Sequence, residues 1–280
     1  MNQRTEAGDA ARCPKRATDR LTVATLNTRG LAPAGSHLAQ RYRLIADSLD
    51  ATEGDVVTFQ EVFTYYHLRL LLKHMPSFRY ASFRPSAAGP AGGLATVSRR
   101  PVSKSHYKRF PFPADMVGLP SFTRFRAALK GSLVTTLRNP RICIVNTHPL
   151  ANRDGDWSES NRYYAVHKEQ LAALERLIAE LSLPTAVCGD FNISRQSSLF
   201  QDFVTRTGLT DAFDGQCPPT FHAQYLSAGE SAHCIDFIMV TDSLKVEAHD
   251  LLFTSKQELQ GGPDYLSDHI GLRVSALVAS

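Results

Sequence analysis

The stretch Thr185–Asn192, reading TAVCGDFN, constrains this chain more than any other. Thr185–Cys188 is short, partly β-branched and preceded by Pro184, which predicts a buried strand. A strand that ends in Gly189-Asp190-Phe191-Asn192 carries a carboxylate and a carboxamide to its carboxyl end, where ligand crevices of open α/β sheets lie. The two-residue spacing sets both side chains on one side. Oxygen ligands, a base and an amide donor suit a hard Mg²⁺ or Mn²⁺ ion and a phosphate. The same letters also spell an Asx turn capping a following helix. The stretch therefore gains meaning only from partners elsewhere in the chain.

Other strands end in the same manner. Leu21–Asn27 alternates and stops at Asn27, and Asp55–Glu61 delivers Glu61. Ile142–Thr147 leads into His148, and Cys234–Val240 is apolar with Asp236 in its interior. A buried carboxylate without a partner is costly, so Asp236 must be paired or near a cation. Ser267-Asp268-His269 precedes a last strand, Ile270–Val278. Further strands are expected at Phe78–Phe83, Leu94–Ser98, Ala128–Leu137 and, at an edge, Leu209–Phe213. Helical spacing marks Leu38–Leu49, Thr64–Leu72, residues 160–181 and Ser198–Thr207. In the third of these, Leu171, Leu174, Ile178 and Leu181 form the buried face, while Asn161, Arg162 and Gln170 read as a solvated face. Phe110–Phe122 is apolar but broken by three prolines, so it reads as a loop that packs on its own core or forms a ligand- or lipid-facing lip. Thr254–Leu266 also reads as a loop. Strands interspersed with a few long helices predict a mixed α/β domain.

Composition narrows the function classes. With 280 residues, 43% hydrophobic and 21% charged, the chain can bury a sizeable core. Residues 1–19 read as a flexible tail and 20–280 as one domain. A net charge of +4 is compatible with a phosphorylated substrate and does not single out nucleic acid. Five cysteines without C-x-x-C spacing argue against a disulfide framework and a zinc site. Cys143, Cys188 and Cys234 lie in apolar runs and read as buried small hydrophobes. The polar amino terminus has no apolar leader, and no run approaches the roughly 20 apolar residues of a membrane helix. A cytoplasmic location is the expectation.

The order Asn27, Glu61, His148, Asp190-x-Asn192, Asp236, Ser267-Asp268-His269 resembles the endonuclease/exonuclease/phosphatase superfamily, over about Leu21 to Val278. GDFN, the I-D-F-I strand and the terminal SDH are the most specific marks, with GGLATVSRRPV and KGSL in support. The resemblance implies a DNase I-like four-layer α/β/β/α sandwich of two stacked mixed β-sheets. It implies a phosphoester hydrolase dependent on Mg²⁺ or Mn²⁺. Glu61 would be the principal metal ligand, with Asn27 nearby and Asp268 at the metal or its waters. Asp190 would manage a proton, Asn192 would hold a phosphate oxygen, and His148 and His269 would flank the phosphate. Asp236 would pair with His269, and Lys130 would lie on the rim. His148 and the segment Thr147–Ile178 are similar to the neutral sphingomyelinase-like branch, and Arg29 departs from the acid that abasic-site endonucleases tend to carry. The reading is a phosphodiesterase on a phospholipid or another small phosphodiester, with peripheral membrane contact and no obligate protein partner. A DNA or RNA nuclease, a phosphomonoesterase on a sugar, nucleotide or inositol phosphate, and a non-catalytic binding module remain alternatives.

Overall fold

Alternation along two neighbouring strands sorts their side chains between two cores. In β1 (Arg20–Asn27), Ala24 and Leu26 pack with one apolar cluster while Leu21 and Val23 pack with another. In the second strand Val57 and Phe59 join the first cluster, and Val56 joins the second. The computed structural model describes residues 20–30, 37–112, 116 and 118–279. The expected tail 1–19 and Cys13 lie outside them.

After β1 come α1 (Leu38–Asp50), β2 (Val56–Gln60), α2 (Tyr65–Lys73), β3 (Tyr80–Ser82), β4 (Ala95–Ser98) and β5 (Val102–Arg109). Then follow α3 (Ser121–Leu129), β6 (Gly131–Leu137), β7 (Cys143–Thr147), α4 (Tyr164–Ala179) and β8 (Thr185–Asp190). The chain closes with α5 (Ser198–Thr207), β9 (Thr210–Asp211), β10 (Asp236–Val240), β11 (Leu244–Leu252), the hairpin β12 (Gln257–Leu259) and β13 (Gly262–Asp264), and β14 (Gly271–Val278).

One sheet has the order β11-β14-β1-β2-β4-β3 and the other β5-β6-β7-β8-β10-β9. Both are mixed, because β1–β2 and β7–β8 are parallel and their other pairings antiparallel. Helices α1 and α2 cover the first sheet through Tyr42, Ile45, Leu49, Leu68 and Leu71. Helices α4 and α5 cover the second through Leu171, Leu174, Leu199 and Phe203. This is the expected four-layer α/β/β/α sandwich. The inward positions of β1 and β2 turn polar toward one edge: Gln60 donates across the sheets to Asn146 Oδ1 at 2.8 Å, and Asn27 donates to Asp190 at 2.9 Å. The parallel pairs therefore bring the ends of β1, β2, β7 and β8 to one rim.

Several boundaries differ from expectation. Residues 121–129 form α3, so Ala128 and Leu129 end a helix, and the strand starts at Gly131. β5 and the β12–β13 hairpin lie where the sequence suggested no strand, because their outward residues are polar and mask the alternation. Asp236 is the first residue of β10 and not interior to it. Gln170 is no solvated residue: it is fully buried, and its Oε1 accepts the Leu150 N–H at 2.9 Å.

Candidate active site

Asp190 is the hub of the rim. Its Oδ2 accepts from Asn27 Nδ2 at 2.9 Å and from Asn192 Nδ2 at 3.2 Å. It also lies 3.4 Å from His148 Nε2 and 3.7 Å from His269 Nε2. Its Oδ1 accepts the Asn192 backbone N–H at 2.8 Å. That Asx turn is real, yet the next helix begins only at Ser198 with Ser197 as its cap. Two backbone features make the approach close. Gly189 has φ +144°, and a Cβ there would lie 2.0 Å from the Thr147 carbonyl oxygen. Asn192 takes a left-handed φ of 54°. Burial opposes the charge on Asp190, but His269, His148 and Asn27 together hold it well below the usual carboxylate range. It is an ionised acceptor.

His269 is buried and its Nδ1 lies 2.8 Å from Asp236 Oδ2. Burial disfavours the imidazolium, but Asp236 and Asp190 outweigh it and raise His269 well above its ordinary value. Asp236 is pushed upward by burial, with Asp190 adding to the rise and His269 opposing it. The pair therefore shares a proton that stays in the site through neutral pH. Thr220 Oγ1 accepts the Asp236 N–H at 3.1 Å, and Ser267 Oγ accepts the His269 N–H at 3.2 Å while donating to the Asn27 carbonyl at 2.6 Å. Ser267 thereby ties the SDH turn to the end of β1.

His148 follows β7 and is buried, with Nδ1 3.0 Å from Lys130 Nζ. Burial and the Lys130 charge push the imidazole down, against the pull of Asp190. Burial likewise lowers the Lys130 amine, to about 7, although Glu61 and Asp190 favour its charge. A lysine donating to neutral Nδ1 fixes the tautomer, so that Nε2–H points to Asp190. The result is a line of groups, Lys130–His148–Asp190–His269–Asp236, enclosed in protein.

Glu61 stands apart from this line, just past β2, in a left-handed conformation with φ 63°. Its Oε2 accepts the Gly30 N–H at 3.1 Å. Asp268 is raised chiefly by burial and then by the Glu61 charge, against His269 and Arg29. Arg29 Nε lies 3.5 Å from Asp268 Oδ2, and its guanidinium stacks over the Tyr225 ring at 4.1 Å. Glu61 and Asp268 act on each other through space, and with the Asn27 amide oxygen they would offer the oxygen donors that suit a hard divalent cation. Asp190, Asp236 and His269 also converge, with ligand atoms within 4.8 Å of one another. A cation there would have to displace the proton that His269 shares with Asp236.

The structure joins Asn27, Lys130, His148, Asp190, Asn192, Asp236 and His269 in one network, with Glu61 and Asp268 beside it. Asn192 and Asn27 differ in emphasis. Both amide hydrogens of Asn192 are engaged, one by Asp190 and one by the Pro149 carbonyl at 3.3 Å, so it meets a phosphate only by releasing one. Asn27 spends its amide on Asp190, and its Oδ1 accepts the Arg29 N–H at 3.1 Å. Supporting residues had no distinctive spacing. Trp157 donates to the Asn192 carbonyl at 3.0 Å, and buried Arg41 donates to the Leu266 carbonyl at 2.7 Å just before the SDH turn. Being the only tryptophan, Trp157 was the one such signal in the sequence.

A two-sheet sandwich with an acid–imidazole network at one rim defines a class, and comparison with known proteins identifies it. The model of the Endonuclease/Exonuclease/phosphatase family matches residues 24–269, and the chain belongs to that family. No curated protein matches the sequence. Among solved structures, SmcL is similar at 19% identity and a TM-score of 0.70, covering 92% of this chain and 99% of that one. Sphingomyelinase C from Streptomyces griseocarneus is similar at 17% identity and a TM-score of 0.68, covering 92% and 99%. D. rerio TDP2, complexed with a single-strand DNA product, is similar at 17% identity and a TM-score of 0.67, covering 92% and 98%. At such identities the likeness is one of fold.

Proposed function

We propose that this chain is a divalent-metal-dependent phosphoester hydrolase, a phosphodiesterase of sphingomyelinase-like type acting on a phospholipid or another small phosphodiester. The observation that carries the reading is the buried line Lys130–His148–Asp190–His269–Asp236, in which one carboxylate oxygen meets two imidazoles. Glu61, Asp268 and the Asn27 oxygen would hold Mg²⁺ or Mn²⁺. The cation supplies Lewis-acid neutralisation of charge on the phosphate oxygens. The remaining chemistry follows from the chain's own groups. His269, kept protonated by Asp236, faces the developing negative charge and has a proton to give. Asp190, kept ionised, orients an attacking water by accepting its hydrogen bond. Lys130 and His148 add donors on the other flank, and enclosure strengthens each of these interactions.

The test is a hydrolysis panel on the purified protein with Mg²⁺ or Mn²⁺: sphingomyelin, a lysophospholipid, plasmid DNA, a single-stranded oligonucleotide, RNA and several phosphate monoesters. Turnover of a phospholipid diester is expected, abolished by EDTA and by His269→Ala. Activity that survives both treatments would sink the mechanism. Cleavage confined to nucleic acid would replace the substrate class with the nuclease reading, which the basic side chains Lys104 and Arg109 along β5 support. A cytoplasmic location is part of the proposal and is checked by cell fractionation.

A further inference from the structure

Between β5 and β6 the chain makes an excursion, closed at its base by the Phe110 N–H donating to the Lys130 carbonyl at 3.0 Å. Six large apolar side chains are exposed among the described residues, and four lie here: Phe112 at 62%, Phe122 at 69%, Phe125 at 60% and Leu129 at 41%. Phe122, Phe125 and Leu129 stand at i, i+3 and i+7 of α3, hence on one face. The opposite face is anchored. Ala127 is fully buried in a small satellite core with Met116, Leu119, Leu150, Tyr163 and Val166. The aromatic face is therefore presented outward by a supported helix.

The surroundings are cationic. Arg109 and Arg124 are exposed, Arg126 is half-buried, and no carboxylate pairs with any of them among the described residues. At the base lies a cavity of about 240 Å³ whose walls include Lys108, Arg109, Ser132 and Arg176. Glu180 neutralises Lys108 there, and among the described residues Arg109 and Arg176 have no carboxylate partner. An apolar helix face of phenylalanine and leucine, rimmed by arginines, matches the hydrocarbon and phosphate layers of a lipid surface. Arginine and phenylalanine can also stack on bases, but Leu129 cannot, and the surface is a convex helix face rather than a groove.

We propose that α3, together with Phe112, is an interfacial helix that seats the protein on an anionic phospholipid surface beside the active-site rim. The last residue of α3 is followed directly by Lys130, and Leu150 of its satellite core lies two residues after His148. Docking therefore sets the lipid headgroups beside the catalytic line. The proposal extends the phospholipid reading above, and it is tested without turnover so that the two can fail separately.

The experiment is co-sedimentation of the full chain with phosphatidylcholine vesicles, with and without phosphatidylglycerol. The comparison is Phe122→Ser/Phe125→Ser, with thermal melting as the control for folding. Wild type should bind, more tightly when phosphatidylglycerol is present and less so at high salt. The double variant, with an unchanged melting temperature, should partition about 100-fold more weakly. A second variant, Arg124→Ser/Arg126→Ser, should lose the preference for anionic vesicles and keep residual binding. No vesicle binding by wild type, or equal binding by the double variant, overturns the proposal. So does a surface whose loss abolishes single-stranded oligonucleotide binding or self-association in sedimentation velocity while vesicle binding is absent.

Discussion

Replacing Lys130 by methionine should separate stability from catalysis and give each a distinct pH dependence. Lys130 is wholly enclosed, and its amine falls from an ordinary 10.5 to about 7, burial being the largest cause. At 1.36 kcal/mol per factor of ten, that difference is worth about 5 kcal/mol. The sign follows from which state binds the proton. Between pH 10.5 and 7 the unfolded chain is protonated at this lysine and the folded chain is not, so stability is lost as pH falls through that window. Below pH 7 the full cost is present. Methionine keeps the stem's volume and carries no charge, so Lys130→Met should unfold at higher urea concentration than wild type near pH 7. The gap should close as pH rises toward 10. Turnover should move the other way, because His148 Nδ1 loses the donor that fixes its tautomer. A fall in kcat of about 10²-fold or more is expected, with the fold intact. The assays are urea unfolding from pH 6 to 10 and hydrolysis of a soluble phosphodiester. A stability difference that does not vary with pH, or a variant with wild-type kcat, would refute the reasoning.

Asp236→Asn should drop the His269 titration seen by NMR, since burial is then opposed only by Asp190 and, more weakly, Asp268, and it should move the pH–rate profile to lower pH. The wild-type stabilisation from protonated His269 is full below about pH 6.5 and declines as pH rises through its raised value, a decline the variant should lack; an unmoved titration would contradict the pairing. Gly189→Ala places a Cβ 2.0 Å from the Thr147 carbonyl oxygen at φ +144°, and it should cost about 3 kcal/mol or more in urea unfolding; wild-type stability would show that β7 and β8 yield there. Mg²⁺ or Mn²⁺ at about a hundred times its Kd should stabilise wild type by about 2.7 kcal/mol, read as a rise in Tm. Glu61→Gln should lose most of that rise; retention of it would move the cation away from Glu61.

How much of this was legible beforehand differs from residue to residue. GDFN was legible because a strand end is visible as an apolar run that stops at a polar group, whereas SDH stands before the last strand and was legible only through the resemblance. The partnership of Asp236 with His269 could be anticipated from the cost of burying a lone carboxylate, and the 2.8 Å contact meets that need. Gln170 was misread because helical periodicity separates faces by polarity, and a buried glutamine serving a loop amide looks like a solvated one. The helix α3 was hidden by the prolines before it and by phenylalanines that face outward, so its apolar pattern pointed away from the core. Arg41 gave no sign, since the groups it donates to include backbone carbonyls, one of them 225 residues away.

The sequence by itself placed Asn27, Glu61, His148 and Asp190 at the ends of β1, β2, β7 and β8, because an apolar run that stops at a polar group is visible locally and a period of two follows from the backbone alone. The sandwich, the family and the roles on the rim came from the resemblance that the order of those residues carries. Only the tertiary structure decided that Asp190, rather than either histidine, is the hub, that both amide hydrogens of Asn192 are engaged, and that Lys130 is enclosed beside His148. Those facts depend on distances across the sandwich between residues as far apart as Asn27 and Asp190, 163 positions in the chain. Such distances are set by the packing of two sheets against each other, which no local pattern encodes.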